Sequence, residues 1–378
     1  MTSKKLTVLQ IIPSLAIGGA ERNVLAIAAA LVQAGHRSIV ISSGGALVDV
    51  LQRSGSEHIT WNVKSKNPLV IFRNKKRLMD FIQTEKIDIV HAHSRAPAWS
   101  AYLATRKPRV PFVTSFHSAY KGTSALKKGY NSVMARGDRV MAASRFLADH
   151  VQAQYHVGGD KIALIPLGID LAVFNRDAVS DEQRDAFRQT YAVPPDTPLF
   201  IMPSRLSPIK GHELVLRALH RLGARPYVCL MIGSDQGRKE YRQHLESLVK
   251  ELNLGDKVRF VDQADLPVAY AAASVVLSPS QVAEGFGLVP VEAQAMGVPV
   301  IATAAGATME TVLQGKTGWL VPLGDVKALS AAMTDALTLT PARRQYMSLQ
   351  AEAHASQHYD IQKMGTAVLG VYDALVNK

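Results

Sequence analysis

Along the chain, short β-branched apolar runs alternate with longer stretches in which apolar residues return every three or four positions. The first pattern predicts buried strands and the second amphipathic helices. Residues 6–12 read as a strand, Gly18-Gly19 as the turn after it, and residues 21–34 as an Ala-rich helix with Gly35 at its C-cap. Residues 38–42, 87–92 and 111–116 are further strands, with 75–86 among the helices between them. The segment 165–198 carries four prolines (Pro166, Pro194, Pro195, Pro198) and reads as a domain connection. A second series follows, with strands at 199–202, 227–232, 258–261, 275–278 and 298–302 and helices at 212–222, 240–252 and 290–296. Strand–helix alternation predicts parallel sheets covered on both faces. Two such series predict an α/β protein of two doubly wound domains facing across a cleft.

Composition changes this picture little. The 378 residues are 47% hydrophobic and 20% charged, which excludes a disordered chain. No apolar run approaches the ~18 residues of a membrane-spanning helix. The single Cys229 excludes a disulfide framework and a cysteine zinc site, and it fits a reducing compartment. Lys4 and Lys5 before residues 6–12 resemble a secretory leader, but Gln10 and Pro13 interrupt the apolar stretch. A cytoplasmic protein is expected, in peripheral contact at most with the inner face of a membrane.

Charge changes it more. Of the formal net +12, residues 1–172 carry 23 basic against 10 acidic side chains, and the remainder 20 against 21. One basic cluster comprises Lys64, Lys66, Arg73, Lys75, Lys76 and Arg77, and it contains no acid. A second, between Arg106 and Arg145, has nine basic residues against Asp138. Such a field attracts an anionic partner. Leu69, Val70, Ile71 and Phe72 inside the first cluster suit an anionic membrane surface, or else form a buried helix face.

In doubly wound domains ligands bind past the carboxyl ends of the strands, so the strand-end loops hold the candidate chemistry. Glu284-Gly285-Phe286-Gly287-Leu288-Val289-Pro290-Val291-Glu292 follows a strand and opens a helix, with Pro290 expected at the first helical position. Its two glycines permit close backbone approach, and free helix amides favour anionic or hydroxyl oxygens. Two carboxylates flanking such a turn can each hold a pair of neighbouring hydroxyls. Alone, Glu292 would be an acid complementing the helix dipole. Arg205 and Lys210, in a turn held by Pro208 and Gly211, can clamp a diphosphate, although an isolated pair of this kind is commonly just solvated. Gly18-Gly19 resembles a phosphate cradle without the third glycine of a dinucleotide fingerprint or a Walker lysine. His117 ends one strand and His91-Ala92-His93 another. Alternate residues share a face, so His91 and His93 could share a metal, but no nearby carboxylate or cysteine completes a set. No Asp-x-Asp motif occurs, and no metal is expected.

Arg205 with Lys210, the Glu284–Glu292 motif and Gly306-Ala307-Thr308-Met309-Glu310 resemble the family-4 retaining glycosyltransferases of GT-B fold, with two Rossmann-like domains. Gly18-Gly19, the segment 88–93, His117 and Pro166-Leu167-Gly168-Ile169-Asp170 sit where that family has its N-terminal counterparts. The resemblance implies an acceptor-binding domain at 1–172, a nucleotide-sugar-binding domain at 173–360, and a helix at 361–378 crossing back to the first. It implies that Arg205, Lys210 and the amides of Gly18 and Gly19 hold a diphosphate, and that Glu292 holds the ribose. Glu284 would contact the donor sugar, the amides of Phe286, Gly287 and Leu288 its hydroxyls or phosphate, and His117 the transferred sugar. The base would rest near Asp262-Gln263-Ala264. The donor would be a UDP- or GDP-sugar, with no further cofactor. Ala305 stands where many relatives have glycine before Gly306, which leaves the role of Glu310 open.

Three functions follow: transfer of a hexose to an anionic or membrane-associated acceptor such as a lipopolysaccharide core, transfer giving a soluble glycoside, or nucleic-acid binding through the basic half. No DNA or RNA recognition motif appears and aromatics are 6%, so no nucleic-acid partner is expected.

Overall fold

A computed structural model describes residues 4–16, 18–120, 122 and 124–377. The chain forms two compact units: residues 1–168 with 361–378, and residues 169–360.

The first unit is built on β1 (Thr7–Ile11), β2 (Arg37–Ser42), β3 (Glu57–Thr60), β4 (Ile89–Ala92), β5 (Phe112–Phe116), β6 (Arg139–Ala142) and β7 (Ile162–Leu164). They make one parallel sheet in the order β3-β2-β1-β4-β5-β6-β7. The strand order reverses between β1 and β4, so the loops after these two strands diverge and leave a crevice at their carboxyl ends. The helix after β1 spans Gly19–Gln33, starting two residues earlier than the periodicity suggests. It packs beneath the final helix, Ile361–Val376, which belongs to this unit. Met364, Val368 and Tyr372 bury that helix among Leu6, Val8, Ile27 and Leu31.

The second unit has β8 (Leu199–Pro203), β9 (Val228–Ile232), β10 (Val258–Val261), β11 (Val275–Ser278), β12 (Val300–Thr303) and β13 (Gly318–Val321). All pairs are parallel, in the order β10-β9-β8-β11-β12-β13, with the reversal between β8 and β11. Apolar layers cover both faces, one around Phe200, Cys229 and Leu329 and the other around Ile201, Leu230 and Tyr270. Strands this buried read as continuous apolar runs, which is why the central ones are plain in the sequence.

Four sequence expectations change. The stretch 165–198 is not a plain connection. The units divide at Gly168–Ile169, and the helix Asp181–Thr190 packs on Leu266–Ala272 inside the second unit. Its start carries a reciprocal cap between Ser180 and Gln183. Pro290 is the third residue of the helix Leu288–Ala295, not the first. It still lies in the first turn, where no intrahelical partner exists for its missing N–H. The helix read at 75–86 spans Pro68–Thr84, with Pro68 at its first position and the Asn67 side chain accepting from the Leu69 amide at 2.9 Å. Residues 69–72 therefore form its first turn and are not a buried face: Leu69 is 79% and Phe72 60% exposed.

Candidate functional site

In the second unit the two loops at the strand-order reversal are joined. Lys210 ends a short 3-10 turn, Pro208–Lys210, after β8, and Glu284 follows β11. The Lys210 ammonium donates to Glu284 Oε1 at 2.6 Å, with both side chains largely shielded from water. Ser280 Oγ donates to the same oxygen, while Oε2 takes part in neither bond. The Gln281 amide donates to the Ile209 carbonyl at 2.7 Å, stitching the loops backbone to backbone. Gly211, at φ 86°, lets this happen, because a Cβ there would collide with the Pro279 carbonyl. His212, fully buried beside them, meets Ser204 at 3.2 Å, and burial pushes its pKa down to about 4. It is a neutral prop for the loop.

The Glu284 segment is held on its other side by Gly306. The two residues form an isolated parallel bridge, and the Ala307 amide donates to the Glu284 carbonyl at 3.0 Å. Gly306 has φ 70°, and a Cβ would stand 2.5 Å from that carbonyl. Gly306 and the Ala307 amide thus position the Glu284 backbone.

The helix Leu288–Ala295 starts at Gly287 with no side-chain cap, so its first-turn amides and positive dipole end open beside this pair. Phe286 does not face solvent. It is buried edge-on against Tyr359, with ring centroids 5.5 Å apart. Glu292 is buried rather than a solvated dipole complement, and its Oε2 accepts from the Tyr270 hydroxyl at 2.8 Å. Arg205 reaches Gln236 in the loop after β9 at 3.2 Å. Lys210, Glu284, Arg205, Gly287, Leu288 and Glu292 therefore lie on the loops and helix at or beside one reversal point. Asp262-Gln263-Ala264 does not join them there. It follows β10 at the sheet edge, where Asp262 is ion-paired with Arg242.

The first unit has its own constellation past β1, β4 and β5. Gly18 precedes the helix Gly19–Gln33 as its N-cap, with extended backbone. The His91 ring lies tilted against His93 at 4.0 Å between centroids, and His93 stacks on His117 at 5.5 Å. His91 meets Tyr372 at 2.7 Å and Ser115 at 2.8 Å, and His93 meets Gln10 at 2.9 Å and His117 at 3.2 Å. Both ring nitrogens of His91 and His93 are engaged by protein groups, so the pair is a structural buttress and not a metal site. Among the described residues no three His, Cys, Asp or Glu side chains converge as ligands. Burial pushes the pKa of His91 down to about 3 and that of His117 to about 4, and it holds His93 well below the ordinary imidazole value, so all three rings are neutral near pH 7.

Sequence reasoning missed Ser280, which bonds Glu284 within the same loop, and Gln236, Tyr270, Gln10 and Tyr372, whose polar groups meet partners distant in the chain. The serine has no signature in the chain, although a tyrosine or glutamine within an apolar run is a usable signal of a buried hydrogen bond.

The basic cluster on Pro68–Thr84 faces outward. Lys64 and Lys66, just before the helix, and Arg73, Lys76 and Arg77 on it are exposed beside Leu69 and Phe72, while Asn74, Leu78 and Ile82 anchor the opposite face. The Arg77 guanidinium lies 3.9 Å over the Trp61 ring.

Known proteins agree with this arrangement. Residues 17–173 match the model of Glycosyltransferase Family 4, and 183–353 that of Glycosyl transferases group 1. A D-inositol 3-phosphate glycosyltransferase of Xylanimonas cellulosilytica is 31% identical over 305 residues, covering 75% of this chain and 71% of that one. A glycosyltransferase from Rickettsia africae superposes with a TM-score of 0.92 at 33% identity, covering 99% of each chain. The Anabaena HepE protein, crystallised with UDP-glucose, has a TM-score of 0.87 at 23% identity and covers 98% of this chain and all of its own. With both sheets, both reversal-point loops and these matches in agreement, the chain belongs to the family-4, group 1 glycosyltransferases of GT-B fold.

Proposed function

We propose that this glycosyltransferase moves a hexose, with retention of anomeric configuration, from a uridine diphosphate sugar to an anionic, membrane-associated saccharide or lipid. The observation that carries the donor half is the Lys210–Glu284 pair beside an uncapped helix start. Cleaving a sugar–phosphate bond builds negative charge on the departing diphosphate. Lys210, Arg205 and the amides of Gly287 and Leu288 offer fixed positive potential where that charge develops. Glu284 holds the ammonium in place and presents a carboxylate oxygen to sugar hydroxyls. Glu292, oriented by Tyr270, takes the ribose, and His117 meets the transferred sugar. Uracil is favoured over guanine because a structural neighbour holds UDP-glucose. In a thermal-shift comparison, UDP at about 100 times its dissociation constant should add ~2.7 kcal/mol of stability. A larger shift with GDP would reassign the base.

The acceptor half rests on charge. The excess lies in the first unit's part of the chain, and relatives are named for an anionic acceptor, D-inositol 3-phosphate. The exposed Leu69 and Phe72 among five exposed cations favour a membrane-borne acceptor. Apolar side chains enter the interface while each cation adds about 1 kcal/mol near an anionic surface. The protein should sediment with vesicles containing phosphatidylglycerol but not with neutral ones, and Leu69→Ser with Phe72→Ser should release it. Failure to sediment while transfer to a soluble anionic glycan proceeds would establish the soluble-acceptor alternative.

A further inference from the structure

The hydrogen bonds around His93 have a direction, and that direction reaches His117. The series starts at the Val24 carbonyl in the helix Gly19–Gln33, a group that can only accept. It takes a hydrogen bond from Gln10 Nε2 at 3.2 Å, which fixes the amide so that Gln10 Oε1 faces His93. Oε1 also only accepts, so His93 Nε2, 2.9 Å away, carries the proton. A neutral His93 then has a lone pair on Nδ1. That lone pair must be met by an N–H from His117 Nε2 at 3.2 Å. His117 is thereby left with a bare Nδ1, which is sealed from solvent and has no partner among the described residues.

The opposite tautomer of His117 requires every link to reverse. His93 would carry its proton on Nδ1 and turn a lone pair toward Gln10 Oε1. Rotating the Gln10 amide to relieve that clash would set its oxygen against the Val24 carbonyl. Each reversed arrangement leaves a buried polar group unpaired, at about 1–3 kcal/mol. Gln10 is completely buried and His93 almost so, and water has no access to repair the mismatch. Doubly protonated rings are disfavoured by the same burial.

We propose that Gln10 and His93 are positioning residues that hold His117 as its Nε2–H tautomer, so that Nδ1 is the acceptor met by a hydroxyl of a bound substrate that displaces the groups covering this buried atom. The use of that acceptor rests on the proposed function, in which His117 meets the transferred sugar. The relay itself rests only on geometry within the first unit. A backbone carbonyl before the midpoint of the first helix thus sets the polarity of a side chain two strands away, through β1 and the end of β4.

The test is nitrogen-15 NMR of the full-length protein with labelled histidine, with His117 assigned by difference against His117→Gln. Nδ1 of His117 should resonate as an unprotonated nitrogen and Nε2 as a protonated one. His93→Gln can donate through its amide to Gln10 and accept from His117 through its oxygen, so it should keep both signatures and wild-type kcat/KM. His93→Leu and Gln10→Leu remove the anchor. They should mix the two tautomers of His117 and lower kcat/KM by about tenfold, the equivalent of one neutral hydrogen bond. A protonated Nδ1 in the wild type, or an unchanged His117 spectrum in His93→Leu, overturns the relay. If His93→Leu does not fold, His93→Gln decides: a switched tautomer there overturns the relay too. The expected spectra combined with wild-type transfer by His117→Ala overturn the acceptor role, because the oriented ring would then meet no substrate.

Discussion

Replacing Lys210 with alanine lowers turnover by about 10³-fold at saturating donor while the protein stays folded. The magnitude is that of removing one preorganised donor from a site where negative charge develops. Lys210 sits at the end of a 3-10 turn whose position is fixed by Ser207, Pro208 and Gly211, and its ammonium points at Glu284 over 2.6 Å. Its removal leaves Glu284 with Ser280 as a hydrogen-bond donor, so the carboxylate is not stranded and the fold survives. Lys210→Arg should not restore the rate, because a broad planar guanidinium cannot reproduce a compact point charge in a turn this tight. Glu284→Ala should fall by a comparable factor, since it removes both the proposed sugar contact and the anchor of the lysine. Circular dichroism and steady-state kinetics decide the matter. Near-normal turnover in a folded Lys210→Ala enzyme would remove this pair from the chemistry.

The second large effect comes from a residue with no side chain. Gly306→Ala should cost the second unit about 1–2 kcal/mol from the left-handed backbone alone. It should also lower turnover by at least tenfold, because the new methyl group must push the Glu284 carbonyl away. A control separates the two causes. Gly315 has the same φ of 70°, and a Cβ there would meet nothing within 4 Å. Gly315→Ala should therefore lose similar stability with unchanged kinetics. Equal turnover in the two variants would mean that the bridge between Gly306 and Glu284 does not hold the carboxylate in its working place.

The comparison of these glycines marks how far the chain alone can be read. Motif spacing singles out Gly306, yet its left-handed φ and its contact with Glu284 exist only once β11 and β12 lie side by side. The pairing of Lys210 with Glu284 is likewise invisible along the chain, because 74 residues separate them. In contrast, five of the six strands of the second unit and the helix start after Gly287 are local and appear in the sequence directly, whereas the edge strand β13 does not. The misread segments are local failures of another kind. The helix Asp181–Thr190 buries only Phe187 and is strongly polar, so apolar periodicity does not betray it. Its reciprocal cap was the available signal. At Pro68–Thr84, Asn67-Pro68 marks the true start, but an apolar first turn left exposed defeats the assumption that apolar means buried.

By itself, then, the order of residues determined the α/β alternation, the two-domain plan, the asymmetry of charge and the strand-end loops that meet at the second unit's reversal point. These depend on periodicity and composition over a few neighbouring positions, and the central strands must bury both faces whatever surrounds them. Only the tertiary structure decided which polar atoms meet: Glu284 with Lys210 and Gly306, Glu292 with Tyr270, and the one-way series from Val24 to His117. Hydrogen bonds are short and directional, and the partners come from strands whose adjacency follows from sheet order and not from succession in the chain.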